Sequence, residues 1–244
     1  MNVLGRTFAV AALTLKPSLR QPLFILLVSV LPLSLFVMFQ VIGGAGLGQH
    51  ALYGIIIVLA TNAGVISLPQ ITVTYRNSRL QEMYVASPVG PGMYALGLGL
   101  SRLLFALPAI LLIFAVLMVR GGMRPSALLQ ALLVVLCASF CGVMIGFTLS
   151  LLVPNVYMIS TVANLTGMIL TVLPPVYYPL AMVPPGWRWL AMLAPTANAA
   201  ELLRISGGAS TSSASGVLVH WTILLLETFA CGMIVFRQMR WQER

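Results

Sequence analysis

Long apolar runs separated by short polar breaks dominate this chain. Uncharged stretches occupy 22–42, 52–73, 128–153 and 157–173, and two more, 93–119 and 217–236, are interrupted only by Arg102 and Glu227. At about 1.5 Å of rise per helical residue, each is close to the roughly 30 Å of a bilayer's hydrocarbon core, the fifth being the shortest. The pattern predicts an all-α, polytopic membrane protein: a single transmembrane domain over 1–244 with six transmembrane helices and both termini on one side. Ahead of the first run, Val3, Leu4, Phe8, Val10, Leu13 and Leu15 are interspersed with Arg6, Lys16 and Arg20. That mixture predicts an N-terminal interfacial helix over 1–20, apolar side down on the cytoplasmic membrane surface. A signal peptide is the other reading of such a start, but the run 22–42 exceeds the about 7–15 residues of a signal h-region.

Composition agrees with the pattern. The chain is 60% hydrophobic and 7% charged, with a mean hydropathy of +1.03, whereas a soluble domain carries about 25% charged residues. The net charge of +9 comes from 13 Lys and Arg against four Glu and no Asp. These cations are dispersed rather than gathered on one face, so they make no nucleic-acid footprint. Their distribution orients the chain instead. With the N-terminus inside, Arg6, Lys16, Arg20, Arg76, Arg79, Arg237, Arg240 and Arg244 are interior, and Arg120, Arg124, Arg188 and Arg204 exterior. The excess puts both termini in the cytoplasm and the protein in the cell (cytoplasmic or inner) membrane.

The polar breaks differ in character. GGAGLGQH over 43–50 reads as a flexible connector, because no strand precedes it and no Lys-Ser/Thr follows. No GxxxxGK[ST] occurs anywhere, so no ATP site of the P-loop kind is expected in this chain. Residues 75–90 form the one substantial polar break facing the cytoplasm, with Arg76, Arg79, Glu82, Ser87 and Pro88. This charged segment between two spans offers a soluble partner a surface to push on. The stretch 206–216, SGGASTSSASG, reads as a solvated outer linker. In the fourth run, Gly142 and Gly146 have the GxxxG spacing that lets helix backbones approach closely, first within the subunit and second at a dimer seam. Cys137, Cys141 and Cys231 lie in apolar runs without metal-type spacing and read as small hydrophobes.

After the fifth run, prolines at 174, 175, 179, 184, 185 and 195 forbid a continuous helix. Tyr177, Tyr178, Trp187 and Trp189 are rings suited to a lipid–water boundary. Residues 174–206 therefore predict a re-entrant outer segment before the last span. The order Pro175, Tyr178-Pro179, Pro184-Pro185, Trp187, Pro195 and Arg204 resembles the ABC type-2 transporter permease family, the transmembrane subunit of ATP-binding-cassette exporters. The inner break resembles it too: Arg76 opens a short charged helix that ends on Ala86-Ser87-Pro88-Val89. A departure is Asn77-Ser78-Arg79, where many relatives have an acid and then a glycine. The resemblance implies a cytoplasmic coupling helix at Arg76, Arg79, Glu82, Ser87 and Pro88, docked on a nucleotide-binding ATPase subunit present in two copies. It also implies a second permease subunit, identical or paralogous, and no cofactor in this chain, with ATP and Mg bound by the partner.

Polar groups within the runs are the remaining candidates. Arg102 and Glu227 lie at matching depth, about 14 Å from the cytoplasmic ends of their spans. They either neutralise each other, or Arg102 snorkels to the headgroups while Glu227 is protonated. Asn62 and Asn164 could meet cargo or a neighbouring helix. His220, Glu227 and Cys231 share a helix face, which could make a proton relay or a metal site, although His220 reads more simply as an interface residue. Glu201 and Arg204, three apart, read as a local pair. The resulting expectation is an exporter permease, not itself an enzyme, for a hydrophobic or amphipathic cargo such as a drug-like molecule or lipid. Alternatives are a polysaccharide or glycolipid exporter permease of the same family, or an ion- or proton-coupled carrier using Glu227.

Overall fold

The apolar runs form helices, but the breaks between them fall elsewhere than composition suggests. In a computed structural model, which describes residues 3–20, 22–85, 87 and 89–238, α1 spans Val3–Leu19 and α2 spans Pro22–Asn62. Gly44, at φ 68° and ψ −166°, bends α2 into two arms, a conformation open to glycine because it has no Cβ to clash. A five-residue π-helical stretch, Ala63–Ser67, then leads into α3, Leu68–Asn77. The expected connector over 43–50 is thus helical on both sides of a break at one residue, and the second apolar rod runs over Gly46–Asn77 rather than 52–73. In an apolar surrounding each backbone N–H and C=O needs a partner within its own segment, and that requirement outweighs the poor helix propensity of glycine.

Beyond α3 come α4 (Leu80–Val85), α5 (Pro91–Val119), α6 (Leu128–Leu152) and α7 (Val156–Val172). The side chain of Asn155 starts α7 by accepting the Tyr157 N–H at 2.8 Å. After short 3-10 turns come α8 (Arg188–Met192), α9 (Pro195–Gly207, closed by left-handed Gly208) and α10 (Ala214–Gln238). No strand occurs among the described residues. Gly46–Asn77, Gly92–Val119, Pro125–Leu152 and Ala214–Arg237 are each long and apolar enough to cross a membrane; Leu33–Gly44 and Val156–Val172 are shorter apolar helices.

The second arm of α2 is the centre of the molecule. Residues 51–57 are buried on every side, facing Ala106, Ile110, Ile113 and Leu117 of α5 and Ala131, Val134, Ala138 and Cys141 of α6. The α5 positions recur at the spacing of one helical face. A Cβ on Gly142 would lie 2.4 Å from the Thr61 carbonyl oxygen, and one on Gly146 2.3 Å from that of Gly64. The GxxxG pair therefore lets α6 lie backbone to backbone against the α2–α3 rod within one chain. A second, smaller core at the other end gathers Val10, Leu68, Tyr94, Leu98, Phe147 and Val235.

The helix α9 departs most from a surface element. Every residue over 195–204 is buried, inserted among α2, α6 and α10. The outer linker is correspondingly shorter than expected: Ser206 is helical, Ala209 packs on the main core, and the exposed stretch narrows to 211–215.

Candidate functional site

The turn between the α2–α3 rod and α5 is built by local hydrogen bonding. Ser78 ends α3, its N–H and its hydroxyl both donating to the Thr74 carbonyl at 2.9 and 2.8 Å. Arg79 then takes φ 59°, the left-handed conformation that reverses the chain. The Glu82 N–H bonds back to the Arg79 carbonyl at 3.1 Å, and α4 follows. Beyond it, the Ser87 hydroxyl donates to the Tyr84 carbonyl at 2.7 Å, and Gly90-Pro91 starts α5. Ala86 and Pro88 lie outside the described residues, as do Arg240 and Arg244.

This corrects the position of the short helix. Arg76 does not open it; it sits in the last turn of α3 and donates from Nη1 to the Ser150 carbonyl of α6 at 3.4 Å. The separate helix is Leu80–Val85, and it has two faces. Leu80, Glu82 and Met83 are exposed, Leu80 at 41% and Met83 at 69%. Leu80 and Met83 border an open groove of 630 Å³ whose other wall is α1, through Arg6, Ala9 and Leu13. Gln81 points the other way, and Tyr84 lies between the two sides, one edge lining the groove. Tyr84 lies between Tyr75 of α3 and Tyr94 of α5, with ring centroids 6.5 and 5.2 Å away, and its hydroxyl lies near the Thr14 side chain of α1. Burial, with Tyr75 adding to it, pushes this phenol above its ordinary pKa, and the nearby Thr14 side chain opposes the rise.

The intramembrane polar candidates are not brought together. Buried Arg102 donates to the Ser101 hydroxyl at 3.2 Å and the Thr14 carbonyl at 3.4 Å, and lies over the Phe105 ring. Glu227 stands between α10 and α6 near Cys141 and Cys231, with Oε2 buried and without a hydrogen-bond partner. Matching depth failed as a guide because α5 packs on α1 and α2, whereas α10 packs on α6 and α9. Asn62 also has a buried oxygen, Oδ1, without a partner, beside Gly167 of α7; Asn164 donates to the Ser160 carbonyl in its own helix on an exposed face. The relay through His220 is absent: its Nδ1 meets Asn198 Oδ1 at 2.7 Å, and because the Asn198 amide nitrogen donates to Met192 and Ala194, the imidazole is the donor.

At the opposite end, the outer motif converges on Arg204. Its guanidinium pairs with Glu201 at 3.0 Å and donates to the carbonyls of Pro175 and Val176, while Ser210 donates to the second Glu201 oxygen. Pro175 and Pro195 are buried around this clasp, and Trp187 and Pro185 are exposed. Tyr178 lines an apolar groove of 460 Å³ with Ile169, Leu173, Pro174, Trp187 and Leu190; Pro179 precedes the 3-10 turn Leu180–Met182. Composition gave no hint that Arg204 would be fully buried; the signal available was the run of prolines, which leaves free carbonyls for a cation to collect.

Helices of this length and apolarity, with a core built around a rod apolar on all sides, define an integral membrane protein. Residues 6–206 match the family model of the ABC-2 type transporter, and the chain belongs to that family. The match takes in most of α1, all of α2 through α8 and nearly all of α9, and stops before α10. Membership makes this a transmembrane subunit, a kind generally not catalytic itself, and implies an ABC transporter with an ATPase partner. No individual curated protein matches the chain.

Proposed function

We propose that this chain is the permease subunit of an ATP-driven exporter, carrying a hydrophobic or amphipathic cargo, a drug-like molecule or a lipid, out of the cytoplasm or inner leaflet. Two copies of a separate ATPase subunit bind ATP and Mg, and a second permease, identical or paralogous, completes the pathway. In this reading six helices cross the cell membrane, both termini are cytoplasmic, and 174–206 re-enters from outside. The α1 helix then lies on the inner surface, which suits its exposed Leu4, Phe8 and Leu13.

The observation that carries the reading is the outer face of α4. Leu80 and Met83 stand exposed beside Arg79 and Glu82, over the groove shared with α1. Apolar side chains ringed by charge at the tip of a helical turn are the mark of a protein contact, and the family supplies an ATPase as the partner. The cargo class is supported by an apolar groove of 310 Å³ between α5 and α6, lined by Leu96, Gly99, Leu103, Phe140 and Met144, open to a molecule dissolved in the bilayer.

The test is to tag the chain, extract it from its native membranes, and assay what accompanies it. Vanadate-sensitive ATPase activity that co-purifies, and is lost when Leu80 and Met83 are both replaced by Asp, supports the reading. Transport by the purified chain alone in liposomes would end it.

A further inference from the structure

We infer that Tyr84, seconded by Gln81, is the positioning residue through which displacement of α4 reaches the membrane helices. The inference rests on the proposed docking of an ATPase on the outer face of this helix, and concerns what lies behind that face.

Three observations carry it. First, the backbone is a poor route for force. At its start α4 is joined to α3 through Ser78 and left-handed Arg79, and Val89-Gly90, without helical structure, separates it from α5. Neither link has the hydrogen-bond ladder that makes a helix a stiff rod. Second, the side chains form a direct route. Tyr84 is wedged between Tyr75, in the last turns of the α2–α3 rod, and fully buried Tyr94, one turn into α5, while its outer edge borders Val10 and Leu13 of α1 across the groove. One residue of α4 therefore stacks on two helices and borders a third. Gln81, three positions earlier, shares a small enclosed space with Thr72 and Arg76 of α3, Tyr94 of α5 and Ser150 of α6, its Oε1 buried there without a hydrogen-bond partner. Third, the two sides of α4 differ in slack. The outer groove, which the edge of Tyr84 also lines, measures 630 Å³, and the space behind Gln81 only 20 Å³. A partner can settle into the outer side, whereas on the inner side a small shift of α4 meets packed atoms at once, and packed interiors transmit displacement rather than absorb it.

Arg76 belongs to this inner set through its bond to Ser150, and Glu82 to the outer set. Replacing both together would mix transmission with docking; the two faces are tested separately.

The experiment uses the complex co-purified with its ATPase, in nanodiscs. Spin labels sit on Ser126→Cys and Ser212→Cys, exposed positions on the side away from α4, with Cys137, Cys141 and Cys231 replaced by Ala. Distances are measured without nucleotide and after trapping with ATP and vanadate. In the parent complex, trapping shifts the distance distribution. With Y84L, which keeps apolar bulk but loses the ring stack and the hydroxyl, the ATPase still co-purifies and hydrolyses ATP, and the shifted fraction falls about 5-fold or more. Q81M gives a smaller fall, and Y84F, losing only the hydroxyl near Thr14, falls between the parent and Y84L. Should Y84L not accumulate in the membrane, Y84F decides. A full shift in Y84L, or in Y84F where it decides, overturns the inference, as does a parent complex with bound ATPase that shows no shift. Loss of the ATPase from Y84L also overturns it, because Tyr84 would then act in docking. A parent chain that retains no ATPase refutes the docking itself, and the inference falls with it.

Discussion

Arg204 illustrates how far one residue's role depends on its surroundings. Removing a single partner from a buried, hydrogen-bonded pair strands the other charge and costs about 3–5 kcal/mol. With Arg204 wholly buried and collecting Glu201, Pro175 and Val176, R204A is expected to lose stability of that order, and E201A nearly as much. Both should show as large drops in the melting temperature of purified protein, where R188A, whose half-buried guanidinium bonds only the nearby Val183 and Ala181 carbonyls, should change it much less. A melting point for R204A within a degree or two of the parent would contradict the clasp. Arg102 and Glu227 give the opposite expectation. Because their neighbours differ, their alanine variants should be additive to within about 0.3–0.5 kcal/mol in a double-mutant cycle on stability. A larger coupling would restore the pairing that matched depth suggested.

At the scale of elements, the contact between α6 and the α2–α3 rod depends on having no side chain at Gly142, Gly146 or Gly64. A Cβ at position 146 would meet backbone, which cannot swing aside as a flexible side chain can. G146L is therefore expected to destabilise by about 1–3 kcal/mol or more through overpacking. The same substitution at Gly186, where a Cβ meets nothing within 4 Å, should leave stability nearly unchanged. Thermal unfolding of the two variants in one detergent compares them directly. The GxxxG spacing was visible in the sequence. Its partner was not, since a spacing names one helix face and not the helix that will lie on it. The α4 turn was similarly half legible. Its charge and its place between two apolar runs were plain, but the helix starts at Leu80 rather than Arg76, because Arg79 adopts a left-handed conformation more usual for glycine, Asn or Asp.

At the scale of the whole molecule, the proposed topology makes a labelling prediction. In intact cells, a membrane-impermeant thiol reagent should modify Ser126→Cys and Ser212→Cys and spare Glu82→Cys, which should react only after the membrane is opened; all three positions are exposed. Reaction of Glu82→Cys in sealed cells would invert the orientation and remove the cytoplasmic docking site with it.

The sequence alone determined that the chain is helical and lives in a membrane, because apolar content and run length are set by the solvent each segment must face, and that is a property of the segment itself. It also determined the family, through the ordered prolines, aromatics and Arg204 of the outer segment. The spacing also foretold the Glu201–Arg204 pair. Only the tertiary structure decided which distant polar groups meet: that Arg204 gathers the Pro175 and Val176 carbonyls, that Arg102 turns to Thr14 and leaves Glu227 elsewhere, and that Tyr84 lies between Tyr75 and Tyr94. Those pairings follow from which helices are neighbours, and in lipid nearly every apolar face is an acceptable neighbour for any other. Order is therefore set by close steric fits such as those at Gly142 and Gly146, which a hydropathy pattern does not encode.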